Sequence, residues 1–216
     1  MNTEPDFRFF MQQIIDILEW LDIEYMIGGS VASSHYGEPR STVDIDIAVV
    51  LPLEKIDVFV RAFERLGYYI FREAVLDAVL TASSFNIIDA QSGYKADIFV
   101  VAPTALERSA LARRRRSVYD AASGAEAYFY SPEDVILYKL KYYLQGRMDK
   151  HLRDIAAMLI NLGDELDFDY ISSWAARIGA ADIWRELLAE YRSRQAQQIT
   201  ASKQRRLPRR RSANST

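Results

Sequence analysis

Two aspartates, Asp44 and Asp46, stand two residues apart in the otherwise apolar stretch TVDIDIAVV. Strand side chains alternate faces, so both carboxylates project to one side, within reach of a shared cation. Two like charges on a half-buried strand are costly unless something positive neutralises them. An edge strand with two solvated acids is the plainer reading of such a pair. Asp97 interrupts a second apolar stretch, Ala96 to Val101. If the two strands are neighbours, three carboxylates converge; otherwise Asp97 is a surface residue. Upstream, Ile27-Gly28-Gly29-Ser30 ends a short apolar run. Glycine lets backbone amides approach a polyphosphate closely, and a helix start adds its dipole and free N–H groups. Ser30 offers a hydroxyl at the same place. Steric need at a strand-to-helix turn explains the glycines equally well. The chemistry on offer is that of hard oxygen donors around a divalent ion, beside a turn suited to phosphate.

These residues need elements to hold them. Apolar positions Phe10, Ile14, Ile17, Leu18 and Leu21 recur at helical spacing and predict a helix over 7–21. A buried strand over 23–27 follows, then the glycine turn and a helix over 31–36. Residues 42–50 form the clearest strand. A helix is expected over 53–66, ended by Gly67, then strands over 83–89 and 94–101 joined at Gln91-Ser92-Gly93. Residues 105–115 read as helical, and 118–130 as irregular or weakly extended. From Ser131 the character changes, because Ser-Pro-Glu-Asp places a capping serine before proline and acids in a first helical turn. Helices are expected over 132–145, 148–162, 168–178 and 181–194. The chain thus divides into a mixed α/β lobe over 1–130, a helical lobe over 131–194 and a disordered basic tail over 195–216.

Composition narrows the chemistry. The 216 residues, half of them apolar, suffice for one ordinary domain or two small packed lobes. The absence of cysteine excludes a disulfide scaffold, a thiolate zinc site and a cysteine nucleophile. With only His35 and His151, a histidine-rich metal site is excluded too. No apolar run approaches the roughly 20 residues needed to span a bilayer, and the first residues lack the pattern of a secretory signal. A soluble, cytoplasmic protein without membrane partners is the expectation. Eight of the 27 basic residues lie from Arg192 onward, leaving 19 basic against 30 acidic residues before it. An acidic body is a poor general surface for nucleic acid.

Together, the glycine turn, Asp-x-Asp and later aspartate resemble the nucleotidyltransferase superfamily related to DNA polymerase β. Its pattern is a strand, Gly-Gly or Gly-Ser, a spacer of about a dozen residues, Asp-x-Asp on a strand and a later single carboxylate. The segments IGGSVAS and RSTVDIDI look like the minimal bacterial members, including toxin-type enzymes of the AbiEii kind, and the resemblance spans residues 20–160. It implies a small mixed sheet flanked by helices and followed by a helical lobe. It also implies transfer of a nucleoside monophosphate from a triphosphate, ATP among the candidates, to an acceptor hydroxyl. Two magnesium ions would be held by Asp44 and Asp46, with Asp97 completing the acceptor-side ion and helping to take the hydroxyl proton. Gly29, Ser30, Arg40 and Lys139 would bind the nucleotide.

The supporting residues have plainer readings as well. Arg40 can pair with Glu38, and Lys139 can snorkel from an apolar face. Asp154 can orient Lys139 or form an ion pair between helices. The stretch from Arg147 to Asp154 matches the R-x-x-x-R-D region of toxin-type relatives only approximately. His151 reads as a packing or surface residue, and His35 has no evident partner. The run Arg113 to Arg116 and the basic stretch Arg205 to Arg211 tilt the acceptor toward tRNA or another RNA, although a solvated helix end explains the first run. Protein side chains and small molecules such as antibiotics are the other acceptor classes, and a cognate antitoxin is a candidate partner. The rivals to an enzyme are a non-catalytic nucleotide-binding or antitoxin-like protein and a plain divalent-metal module.

Overall fold

Alternation along the strand of Asp44 sets the plan of the molecule. In the computed structural model, which describes residues 6–206 and the side chains of 6–197, Ile45, Ile47 and Val49 are fully buried on one face of this strand. Asp44, Asp46 and Ala48 take the other face. A slip of one residue would carry both carboxylates into the core, so burial fixes the register.

The chain runs α1 (Phe7–Trp20), β1 (Glu24–Ile27), α2 (Gly29–Tyr36) and β2 (Asp44–Val50). After a 3-10 turn at Leu53–Lys55 come α3 (Ile56–Arg65), α4 (Arg72–Thr81), β3 (Ser84–Ile88) and β4 (Lys95–Val100). Then follow α5 (Ala105–Arg113), β5 (Arg115–Asp120), β6 (Ala125–Phe129), α6 (Pro132–Gly146) and α7 (Asp149–Leu162). A 3-10 turn at Gly163–Glu165 leads to α8 (Phe168–Arg177) and α9 (Ala181–Arg206). The six strands form one mixed sheet in the order β3-β4-β2-β1-β6-β5. Strand β2 is parallel to β4 and antiparallel to β1, and β1 is parallel to β6. Helix α1 buries Phe10, Ile14, Ile15 and Leu18, and α3 buries Ile56, Phe59, Val60 and Phe63. Both join Ile45, Ile47, Ala96 and Ile98 in the core, which leaves the acid-bearing face of the sheet to the C-terminal helices. Among the described residues, no helix is long and apolar enough to cross a membrane.

Three stretches depart from expectation. Residues 118–130, expected irregular or weakly extended, contribute to the antiparallel hairpin β5–β6. Its turn is held by Asp120, whose carboxylate accepts from the amides of Ala122 and Ser123, and by Gly124 at φ +73°. Strand β5 lies at the edge of the sheet and is largely polar, so it lacks the apolar alternation that marks a strand. Helix α4 occupies the interval between the expected helix and the expected strands. Helix α9 continues to Arg206, past the end expected at 194 and into the stretch expected to be disordered. Good helix formers without glycine or proline carry it on, and Arg194–Glu190 and Gln195–Tyr191 contacts brace one further turn. The remainder of the basic tail lies outside the described residues.

The arginine run is engaged within the chain. Arg113 pairs with Glu133 at 3.2 Å and stacks over Tyr170, while Arg115 pairs with Glu133 at 3.4 Å. Arg114 pairs with Glu24 and Arg116 with Glu126. Each of the four is therefore engaged with a carboxylate of this chain, and two of them grip the first turn of α6. There Glu133 is 1 % and Asp134 0 % exposed. Burial works to raise the Glu133 carboxyl, but its own amide, that of Asp167, the Ser131 hydroxyl and the charge of Arg115 hold it below the usual range. Arg113→Ala is expected to destabilise the fold by roughly 3 kcal/mol, because it strips charge from buried carboxylates. Urea unfolding reads this directly.

Candidate active site

The glycine turn stands directly over the acidic strand. The Gly28 amide donates to the Asp46 carbonyl at 2.8 Å, which locks the end of β1 against β2. Gly29 then opens α2 at φ +56°, and a Cβ there would lie 1.7 Å from Asp46 Oδ2. Glycine is required twice at this point, once by conformation and once by the carboxylate beneath it. The Ser30 amide donates to the Asp46 side chain. The Ser30 hydroxyl shares a hydrogen bond of 3.1 Å with Thr42, which in turn donates to the Asp44 carbonyl. Gly29→Ala is expected to cost about 1–2 kcal/mol in the backbone alone. It should also displace the Asp46 carboxylate, so urea unfolding and nucleotide transfer should fail together.

Strand pairing brings the acids together. Asp46 and Asp97 are direct partners across parallel β2 and β4, and Asp44 faces Lys95. All four side chains share the face opposite the core. Asp97 Oδ2 accepts from Lys95 Nζ at 2.9 Å. With the Asn86 amide turned so that its nitrogen faces the acid, Asn86 donates to Asp97 Oδ1 at 2.7 Å. Burial raises the Asp46 carboxyl above its usual range, and the negative charge of Asp97 adds to this against the Ser30 amide.

The opposite wall comes from the helical lobe. Lys139 is buried, and its Nζ donates to Asp154 Oδ2 at 2.5 Å. Burial lowers its pKa while Asp154 opposes the shift. Arg40, on the loop before β2, reaches the same Asp154 oxygen at 3.5 Å, so its partner is Asp154 and not Glu38. One carboxylate thus holds both cations expected at the nucleotide. Between the walls lies a cleft of about 930 Å³, lined by Gly29, Ser30, Arg40, Lys139 and the three aspartates.

His35 stacks on Phe129 at 4.6 Å, and burial lowers its pKa, as befits a packing residue. His151 is buried against Tyr142 on the cleft wall. Three features have no counterpart in the sequence pattern: Lys95 and Asn86, which contact Asp97, and the pair Glu107 and Tyr138, which lines the cleft. Lys95 could have been found by extending the alternation of KADIFV back one step, since Lys95 and Asp97 share a face. The Tyr138 hydroxyl lies near Glu107 and Tyr130. Neither it nor Glu107 Oε2 makes a hydrogen bond of good geometry, although both are buried.

The donor set fits a hard divalent cation in type, being all oxygen, and in placement, with Asp46 and Asp97 at opposed register positions and mutually repelling. Among the described residues, however, no three acidic or histidine side chains stand close enough to hold an ion in this arrangement. Asp97 is turned onto Lys95 instead.

No protein-family model matches the chain, and no curated protein matches it. Solved structures do. The crystal structure of ANT(2'')-Ia in complex with adenylyl-2''-tobramycin is similar with a TM-score of 0.54 at 16% identity, over 80% of this chain and 96% of that one. An antigenic nucleotidyltransferase-like protein from Paracoccidioides brasiliensis gives 0.53 at 14% identity, over 86% and 92%. The solution structure of the antibiotic-resistance factor ANT(2'')-Ia gives 0.50 at 15% identity, over 91% and 96%. The likeness is one of fold: this chain has the fold of the nucleotidyltransferases.

Proposed function

We propose that this chain transfers a nucleoside monophosphate from a nucleoside triphosphate to an acceptor hydroxyl and releases pyrophosphate. One observation carries the reading: Asp46 and Asp97 oppose each other on adjacent parallel strands, with Asp44 on the same face, beneath a turn whose glycine has no room for a side chain. A bare metal module has no use for that turn, and a protein that only binds nucleotide has none for Asp97.

Asp44, Asp46 and Asp97 would hold magnesium. When bound, the metal supplies Lewis acidity toward the phosphoryl oxygens and lowers the pKa of the attacking hydroxyl. The α2 N-terminus, with Gly29 and Ser30, would cradle the triphosphate, and Arg40 and Lys139 would meet its charge from across the cleft. The acceptor oxygen bonds to the α-phosphorus as the bond from that phosphorus to the β-phosphate oxygen breaks. Asp97 takes the acceptor's proton, and pyrophosphate leaves. The protein's work is positioning and charge neutralisation.

For the acceptor we take a compact hydroxyl-bearing molecule enclosed in the cleft. The arginine run that favoured RNA is engaged within the chain. The cleft wall instead includes the polar side chains of Glu107, Tyr138 and Tyr142, which suit a small polar molecule. One similar structure holds an adenylylated small molecule, adenylyl-2''-tobramycin. The test is incubation with each α-labelled triphosphate, magnesium, and either total tRNA or the low-molecular-weight fraction of a cell extract. Label is expected in small solutes. Label in tRNA would restore the toxin-type acceptor, and binding without transfer would reject catalysis.

A further inference from the structure

Lys95 is ion-paired with the acidic cluster, and the sequence pattern of the family does not account for it. It stands opposite Asp44 in the register and two residues before Asp97, so its ammonium reaches the face on which all three carboxylates lie. It donates to Asp97 Oδ2 at 2.9 Å, while Asn86 occupies Asp97 Oδ1. Both oxygens of Asp97 are thereby engaged, and the three carboxylates do not form a joint site among the described residues. Lys95 differs from the buried Lys139 in its freedom. Its side chain is 36 % exposed, against 6 % for Lys139. An exposed lysine–carboxylate pair is weak and exchanges readily with water.

The geometry points to Lys95 as a resident counter-ion that holds Asp97 until a divalent ion displaces it. This inference rests on the nucleotidyl-transfer reading, and it assigns Lys95 a positioning role, since it acts through Asp97. The lysine offsets the mutual repulsion of the carboxylates in the metal-free protein, and by the same charge it opposes entry of the acceptor-side ion. An ion held by Asp44 and Asp46 needs no rearrangement of Asp97. An ion that uses Asp97 requires the ammonium to swing out to solvent. Metal loading is therefore ordered, with the Asp97-dependent ion second and weaker.

Mn²⁺ titration of the nucleotide-free protein, read by the loss of the free-ion electron paramagnetic resonance signal, tests this without reference to turnover. Lys95→Met is expected to tighten the weaker Mn²⁺ site at least fivefold, and Lys95→Gln to do the same. Lys95→Arg, which keeps the charge, is expected to bind like the unaltered protein. In the Asp97→Asn background, Lys95→Met should give no tightening. Circular dichroism of each variant confirms the fold. Unchanged or weaker binding in both neutral variants, with Mn²⁺ still bound by the unaltered protein, overturns the role of Lys95 alone. If no protein in the series binds Mn²⁺, the inference falls together with the metal-dependent reading beneath it.

Discussion

Asp46→Asn is expected to abolish nucleotide transfer while making the metal-free protein harder to unfold. The loss of activity should be on the order of 10³-fold or more, because the carboxylate neutralises charge where it develops and a neutral amide cannot replace it. The gain in stability follows from the same position. Asp46 is half-buried, faces Asp97 and Asp44, and has its carboxyl raised above the ordinary 3.8 by burial and then by Asp97. A carboxyl raised in the folded state favours folding most when it is protonated, below its unfolded pKa. That advantage is lost as pH rises through the folded value. The asparagine variant carries no such charge. Urea unfolding in the presence of a chelator should therefore show little difference between the two proteins near pH 3.8. A widening advantage for Asp46→Asn should appear as the pH approaches neutrality. Saturating magnesium should shrink or reverse that advantage, because an ion that binds only the folded wild type stabilises it by mass action. A variant that is both inactive and less stable at neutral pH would mark Asp46 as a structural residue.

The residues that carry this argument were legible in part, and the limits have a physical cause. The alternation in TVDIDIAVV announces which face of β2 is core, since Ile45, Ile47 and Val49 demand burial together. The same logic holds for Ala96 and Ile98 around Asp97. What local sequence does not contain is strand order. The placement of β4 beside β2, on which the convergence of Asp46 and Asp97 depends, is a property of the whole sheet. The partners of the arginine run are hidden for a related reason. Its partners Glu133 and Glu24 are distant in sequence, so a cluster engaged internally looks like one that is free. The spacing in α6 and α7 already suggests Asp154 as a partner of Lys139, but its reach to Arg40 depends on bringing α7 against the loop before β2. The hairpin β5–β6 shows in the sequence only as a weakly extended stretch, because an edge strand of arginine, serine and aspartate needs no apolar face.

Removal of Asp154 is expected to damage the protein more than removal of the lysine it holds. Lys139 is 6 % exposed and donates to Asp154 at 2.5 Å, and burial already presses its pKa downward. Asp154→Ala leaves that ammonium desolvated beside Arg40, with its hydrogen-bonded carboxylate gone, and should cost roughly 3–5 kcal/mol. Lys139→Met removes the buried charge and fills its space with an apolar chain, so its cost should be far smaller. The double variant should recover most of the stability that Asp154→Ala loses, a non-additivity that a double-mutant cycle in urea measures. Activity should not follow stability. Under the proposed function, both proteins lacking Lys139 have lost a cation that faces the triphosphate, so the double variant should be folded but weak in nucleotide binding. Nucleotide affinity restored along with stability would mean that Lys139 only packs the lobes together. Affinity lost in every protein without the lysine, whatever its stability, would place Lys139 at the phosphates and Asp154 behind it as the group that keeps the buried cation in place.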